Sequence, residues 1–179
     1  LSIPYVFGGG VHTVGYFEEM LKAGAPRIYV NSAAVRNPEL INKISKKHGK
    51  DTLLVAIDTK KTFGKWKVYL NGGKSRTEID LVNWVKMSEV RGAGELLIST
   101  VLRTSSTREE GYEILKEITR VTSLPILASI GFQDMEELNQ TISIPGIMGI
   151  VSGHFFNHPN LSFKEIKDNI DLHFQSLNP

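Results

Sequence analysis

Short apolar runs rich in β-forming residues alternate along the whole chain with longer amphipathic runs. This alternation restricts the fold more than any other feature, because repeated strand–helix units build a parallel sheet covered by helices. The pattern predicts an α/β fold with six βα units. The expected strands lie near residues 3–7, 27–31, 52–58, 95–101, 125–129 and 146–151, and the expected helices near residues 14–24, 37–48, 80–91, 111–121, 133–141 and 163–175.

Six units do not close an eight-stranded TIM (β/α)8 barrel. An open parallel sheet of this kind would leave backbone groups unpaired at its edges and apolar faces exposed. The first predicted strand also stands at the very start of the sequence. We therefore expect residues 1–179 to form a single, incomplete TIM-barrel domain, with two βα units missing upstream.

The composition excludes several classes of protein. The 179 residues are 41% hydrophobic, which is enough for one sizeable core, and 21 basic and 19 acidic residues create no field that favours nucleic acid. No apolar run approaches the roughly 20 residues that cross a bilayer, and no signal-peptide pattern is present. The absence of cysteine excludes disulfides and thiolate metal sites. We expect a cytoplasmic protein that binds neither membranes nor nucleic acid.

One acid follows the most apolar predicted strand, in the sequence Val55-Ala56-Ile57-Asp58-Thr59-Lys60. Active sites of (β/α)8 barrels are built at the carboxyl ends of the strands, so an acid at such an end is a candidate for catalysis. A helix cap or a loop ion pair is the structural alternative for Asp58.

A second pattern follows the same strand. Residues 65–70 alternate in polarity and are followed by Asn71-Gly72, which is a typical turn sequence. A β-hairpin is therefore predicted above the strand that carries Asp58.

Small residues follow four of the predicted strands at a repeated spacing. Gly8-Gly9-Gly10 precedes Asn31-Ser32-Ala33-Ala34, with 22 positions between Gly10 and Ser32; 21 positions separate Gly131 from Ser152-Gly153. Small side chains allow the backbone to approach an anion closely. Two such pairs indicate two phosphate sites on opposite sides of a barrel, and hence a substrate with a phosphate at each end. Tight turns without a ligand, or a helix cap at Ser152, are the alternatives.

Four segments together resemble a known family. Gly8-Gly9-Gly10-Val11-His12, the segment Asn31 to Ile41, Val55-Ala56-Ile57-Asp58 and Arg91-Gly92-Ala93-Gly94-Glu95 are similar to the cyclase subunit of imidazole glycerol phosphate synthase. The resemblance covers the whole chain and begins at the third barrel strand. Asn31 favours the cyclase over its sister isomerase. The implied fold is a TIM barrel of the ribulose-phosphate-binding type.

The resemblance also implies an activity. In this family, ammonia from a separate glutaminase subunit meets a bisphosphorylated aminoimidazole carboxamide ribonucleotide and yields imidazole glycerol phosphate for histidine biosynthesis. The expected protein is thus a carbon–nitrogen lyase and cyclase that forms a heterodimer with a glutaminase and needs no metal or other cofactor.

The resemblance assigns a role to individual residues. Asp58 matches the catalytic aspartate of the fifth barrel strand, whose partner aspartate on the first strand would lie upstream of Leu1. Arg27 and Glu95 match charged residues that gate the ammonia entrance, although a surface ion pair is their structural alternative. Ser99 and Ser129 match substrate contacts. The residues that would bind substrate phosphate are Gly9, Gly10, Asn31, Ser32, Gly131, Ser152 and Gly153.

Two loops depart from the family pattern. Residues 100–107 lack two expected aspartates and a glycine, and Ile130 replaces a glycine before Gly131. Two other functions therefore remain open. The first is a paralogous ammonia-using barrel that modifies a nucleotide sugar for surface polysaccharide, and the second is a barrel that binds a phosphorylated ligand or a protein without turnover. Complementation of a histidine auxotroph would separate the cyclase of histidine biosynthesis from the paralogue that modifies a nucleotide sugar.

Overall fold

A computed structural model describes residues 5–101, 106–132, 134–153 and 162–177. These residues form eight strands and seven α-helices. In chain order they are β1 (Val6–Gly8), α1 (Val14–Lys22), β2 (Arg27–Val30), α2 (Ser32–Arg36), α3 (Glu39–His48), β3 (Leu53–Thr62), β4 (Lys65–Leu70), β5 (Ser75–Asp80), α4 (Leu81–Val90), β6 (Glu95–Thr100), α5 (Ser106–Thr119), β7 (Ile126–Ser129), α6 (Met135–Ile142), β8 (Ile147–Ile150) and α7 (Phe163–Leu177).

Six strands form a parallel sheet in the order β1-β2-β3-β6-β7-β8. Each pair of successive parallel strands is connected through at least one helix, which is the connection that parallel pairing requires. The result is an incomplete TIM barrel of six βα units, and the predicted fold class is confirmed. All six parallel strands point their carboxyl ends to the same edge of the sheet.

The core lies between the sheet and its helices. Residues 53–57 of β3 are all buried, as expected for a central parallel strand that is covered on both faces. Trp84 of α4 and Phe17 of α1 are the largest fully buried side chains of the helices. Side chains of Thr13, Asp80 and Asp134 accept hydrogen bonds from the first turns of α1, α4 and α6, so these helices begin at capping residues.

Several predicted boundaries are wrong, and one of them is that of the helix expected at residues 111–121, which spans Ser106–Thr119. The strand that carries Asp58 was expected to end there, but β3 continues to Thr62 because β4 pairs with its extension. The helix expected at residues 37–48 is preceded by a separate short helix, α2, and the two are divided at Asn37-Pro38. The residue before a proline is pushed out of the helical region, and Asn37 is extended here (φ −140°, ψ 86°).

The predicted hairpin is confirmed and forms part of a larger meander. β4 pairs antiparallel with β3, and β5 pairs antiparallel with β4. β6 occupies one edge of β3 up to Thr59, while β2 and then β4 share the other edge. The β4–β5 turn, residues 71–74, therefore lies beside the carboxyl end of β2 and beside Asp58 of β3. In the described part of the chain, no helix is long and apolar enough to cross a membrane.

Candidate functional site

A cavity of about 550 Å³ opens where β1, β2 and β3 reach the carboxyl edge of the sheet. A larger groove of about 1280 Å³ runs along the outside of α5 and α6, but none of the predicted site residues lines it. The smaller cavity is therefore the candidate site. Its polar and glycine lining comprises Gly9, Gly10, His12, Tyr29, Asn31, Ser32, Arg36, Asp58, Asn71 and Gly72.

Asp58 lies on the cavity wall, at the end of the parallel part of β3. Its carboxylate Oδ2 accepts a hydrogen bond from Asn31 Nδ2 at 3.1 Å, and the carboxylate also accepts one from the backbone N–H of Gly72. Burial raises the pKa of Asp58 above its usual value, and the two hydrogen bonds oppose this rise by stabilising the charged form. The carboxyl group is thus suited to exchange a proton with a bound molecule.

Asn31 and Ser32 form one small-residue turn of the cavity. Asn31 Oδ1 is buried and has no hydrogen-bond partner among the described residues, whereas its Nδ2 is occupied by Asp58. The Ser32 hydroxyl accepts a hydrogen bond from the backbone N–H of Asn71 at 2.9 Å. Asn31 therefore presents an unused acceptor beside the half-buried acid.

Gly9 and Gly10 form the second small-residue turn of the cavity, which follows β1. Their φ angles are +109° and +68°, values that side-chain-bearing residues rarely adopt, and no atom lies within 4 Å of where a Cβ of Gly10 would stand. The space beside Gly10 is open, so a ligand can approach the backbone. The structure thus brings Gly9, Gly10, Asn31, Ser32 and Asp58 together in one cavity.

The second predicted set of phosphate residues lies farther along the same edge of the sheet. Gly131 follows β7 with φ +80°, and Ser152-Gly153 follows β8. None of the three lines the cavity around Asp58. Ser99 and Ser129 connect the two regions, because the register aligns Asp58 of β3 with Ser99 of β6 and Ser99 with Ser129 of β7.

Arg27 and Glu95 lie at the opposite, amino-terminal ends of β2 and β6. Arg27 Nη1 donates to Glu95 Oε2 at 2.6 Å across the intervening strand β3. Glu95 is 9% exposed, and this burial raises the pKa of its carboxyl group although the guanidinium of Arg27 opposes the shift. The two residues thus form an ion pair, and their role as a gate stays a prediction.

Five residues of the polar and glycine lining of the cavity were not predicted from the sequence as site residues: His12, Tyr29, Arg36, Asn71 and Gly72. Arg36 follows Ser32 by four positions, which was a signal that the two share a helix face, but α2 was not predicted. The Asn71-Gly72 turn was predicted, although its position over the cavity depends on the extension of β3.

The structure describes only part of the two loops that depart from the family pattern. Residues 102–105 lie outside the described residues. Ile130 is described, and its side chain is buried and packs close to Gly111 of α5. Within the described residues, no three histidine, aspartate or glutamate side chains are grouped as metal ligands.

Comparisons with known proteins show the family of the chain. The sequence model of the histidine biosynthesis protein family matches residues 1–162. The chain is 37% identical to imidazole glycerol phosphate synthase subunit HisF of Natranaerobius thermophilus over 93% of the chain and 66% of that protein. The proteins of the same name from Dictyoglomus thermophilum (36%, over 93% and 66%) and Bacteroides fragilis (33%, over 93% and 67%) are similar. The chain spans about two thirds of the length of these relatives. It therefore belongs to the histidine biosynthesis protein family.

Proposed function

We propose that the protein is the cyclase of an imidazole glycerol phosphate synthase and that Asp58 is its general acid or base. The substrates would be ammonia and a bisphosphorylated aminoimidazole carboxamide ribonucleotide. The observation that carries the proposal is the cavity itself, which is lined by Asp58 together with the Gly9-Gly10 turn and the Asn31-Ser32 turn. The names of the relatives favour this reaction over sugar modification.

The environment of Asp58 suits proton transfer. Addition of ammonia to a carbonyl, loss of water and cleavage of a carbon–nitrogen bond each require a proton to move. A carboxyl group with a raised pKa can be protonated in one step and ionised in the next, because burial brings its pKa closer to neutral pH. The free Oδ1 of Asn31 would accept an N–H of the substrate or of ammonia beside it.

The proposed substrate spans the carboxyl edge of the sheet. One phosphate would bind at Gly9, Gly10, Asn31 and Ser32, where a hydroxyl and an open backbone approach are available. The other phosphate would bind at Gly131, Ser152 and Gly153, which lie farther along the same edge of the sheet, after β7 and β8. Ser99 and Ser129, aligned in register with Asp58, would contact the part of the substrate between the two phosphates.

Ammonia would enter from the amino-terminal side. Glu95 pairs in register with Leu54, four residues before Asp58 on β3, so the Arg27–Glu95 pair lies about 13 Å from the acid along the strand direction. A part-buried pair of opposite charges would close this end to water and open when the pair separates. We propose that a glutaminase subunit docks there and delivers ammonia, in the cytoplasm and without a metal or other cofactor.

Substitution of Asp58 tests the proposal. In the full-length protein supplied with free ammonia, Asp58→Asn should lower kcat by about 10²–10⁴, since it removes proton transfer. Its Kd for the bisphosphorylated substrate should change by only a few fold. Asp51→Asn, the same change at an exposed aspartate before β3, is the control and should keep kcat within about twofold. An Asp58→Asn variant with wild-type turnover would remove this residue from the mechanism.

The pathway is tested separately. Expression of the full-length gene in a histidine auxotroph that lacks the cyclase should restore growth, whereas a paralogue that acts on a nucleotide sugar should not. Co-expression of the cognate glutaminase controls for a missing ammonia source. Growth that depends on both genes would support the proposed partner as well as the reaction.

A further inference from the structure

We infer that Arg36 is an additional phosphate ligand of the cavity and that Asn71 of the β4–β5 turn holds its guanidinium in place. This inference rests on the proposed function, because it concerns the phosphate expected at the Gly9-Gly10 and Asn31-Ser32 turns. It extends the site to a residue from α2 and to one from the meander.

Ser32 and Arg36 lie on the same face of α2. They are the first and last residues of this helix, four positions apart, so their side chains are neighbours on its surface. Asn71 contacts both of them. Its backbone N–H donates to Ser32 Oγ at 2.9 Å, and its Oδ1 accepts from Arg36 Nη2 at 2.9 Å. One residue thus joins the hydroxyl of the proposed phosphate site to the cation beside it.

Arg36 retains unused hydrogen-bonding capacity. The guanidinium has five N–H donors, and a single side-chain hydrogen bond, to Asn71, occupies it among the described residues. In this part of the chain it forms no ion pair, whereas Arg27, Arg76 and Arg91 each contact a glutamate. An arginine without a carboxylate partner that lines a cavity with a serine hydroxyl is suited to bind a phosphate oxygen.

The turn that carries Asn71 is held from both sides. Asn71 has φ +56°, a left-handed conformation that asparagine tolerates better than most residues. The backbone N–H of Gly72 donates to Asp58, and Lys60 Nζ donates to the carbonyl of Gly73 at 2.9 Å. The acceptor for Arg36 is therefore fixed relative to the carboxyl group of Asp58, which would orient the guanidinium before the ligand binds.

Titration with inorganic phosphate tests the inference without the natural substrate. Isothermal titration of the full-length protein should show phosphate binding, and Arg36→Gln should weaken it by about tenfold, the usual effect of losing one hydrogen bond to a charged group. Arg120→Gln removes the same charge at an exposed position outside the cavity and should leave the affinity within about twofold. Ser32→Ala should weaken binding independently of Arg36.

Asn71→Gly tests the positioning role. Glycine accepts the left-handed backbone and keeps the N–H that reaches Ser32, but it removes the acceptor for Arg36. We expect a loss of affinity of about threefold, and no further loss when Asn71→Gly is added to Arg36→Gln. A purely structural effect of Asn71 would instead add to that of Arg36→Gln, and would contradict the positioning role.

The outcomes separate the inference from the proposed function. Unchanged binding by Arg36→Gln together with weakened binding by Ser32→Ala would overturn the role of Arg36 and leave the phosphate site intact. Absence of phosphate binding by the wild-type protein would overturn both. Should Arg36→Gln fail to fold, Arg36→Lys keeps the charge but not the planar group. An affinity for this variant equal to that of the wild type would also reject Arg36 as a guanidinium ligand.

Discussion

At the scale of single residues, Asp58 is the group whose surroundings have the clearest chemical consequence. Its carboxyl group is half-buried, and burial favours the protonated form, while the N–H groups of Asn31 and Gly72 favour the carboxylate. The balance between these opposing effects sets the pKa of Asp58. Asn31 is the partner that a side-chain substitution can remove without changing the backbone.

Asn31→Ala should make the protein more sensitive to rising pH. Loss of the Asn31 donor would raise the pKa of Asp58 further. A carboxyl group whose pKa is raised in the folded state contributes stability at low pH, and this contribution is lost as pH rises through the folded-state pKa. The loss of unfolding free energy caused by Asn31→Ala should therefore be about 1 kcal/mol larger at pH 7 than at pH 4, measured by urea denaturation.

Asn83→Ala provides the control for this experiment, because Asn83 is exposed on α4. Its effect on the unfolding free energy should be the same at both pH values. Carbon-detected NMR of the Asp58 carboxyl group gives the pKa directly. A pKa that falls or stays constant in Asn31→Ala would show that the hydrogen bond seen here does not stabilise the carboxylate.

At the scale of secondary-structure elements, the meander and the helix connections determine what surrounds the acid. The extension of β3 beyond Asp58 carries β4 and β5 with it and places their turn against α2. At the opposite end of the sheet, the segment before β6 passes the 3-10 turn Lys50–Thr52 closely. A Cβ on Gly94 would lie 2.0 Å from the carbonyl oxygen of Lys50, so this crossing requires glycine.

Gly94→Ala should therefore destabilise the protein. The clash involves backbone on both sides, and relief of such overpacking usually costs about 1–3 kcal/mol. Thermal and urea unfolding should show a loss in this range. Gly15→Ala is the matched control, because Gly15 lies in α1 with no close neighbour, and alanine there should stabilise the helix by about 0.5–1 kcal/mol. Equal effects of the two substitutions would contradict the close packing at Gly94.

At the scale of the whole molecule, the parallel sheet separates two chemical regions. The carboxyl edge carries the acid and the proposed phosphate turns, and the amino edge carries the Arg27–Glu95 pair. The strands between them are apolar and buried, as β3 illustrates. Substitutions at one edge should therefore leave the local chemistry of the other edge unchanged.

The double variant Arg27→Gln/Glu95→Gln should distinguish the two regions. It replaces the ion pair by two neutral amides, so no buried charge is left without a partner. With saturating free ammonia, turnover should stay within about threefold of the wild type, because Asp58 is untouched. Glutamine-dependent turnover with the glutaminase subunit should fall by about tenfold or more. An equal loss under both nitrogen sources would contradict a role limited to ammonia delivery.

The sequence by itself determined the six βα units, the parallel sheet and the hairpin, because apolar periodicity and turn residues act over short distances in the chain. The position of Asp58 after the buried apolar run of β3, and the nearness of Gly9-Gly10 to Asn31-Ser32, followed from the same local patterns and from motif resemblance. The tertiary structure alone decided that Asn71 joins Ser32 to Arg36 and that Gly72 contacts Asp58. The two contacts of Asn71 join residues that are 35 or more positions apart. The contact between Gly72 and Asp58 depends on the pairing of β4 with β3. No local sequence pattern encodes either arrangement.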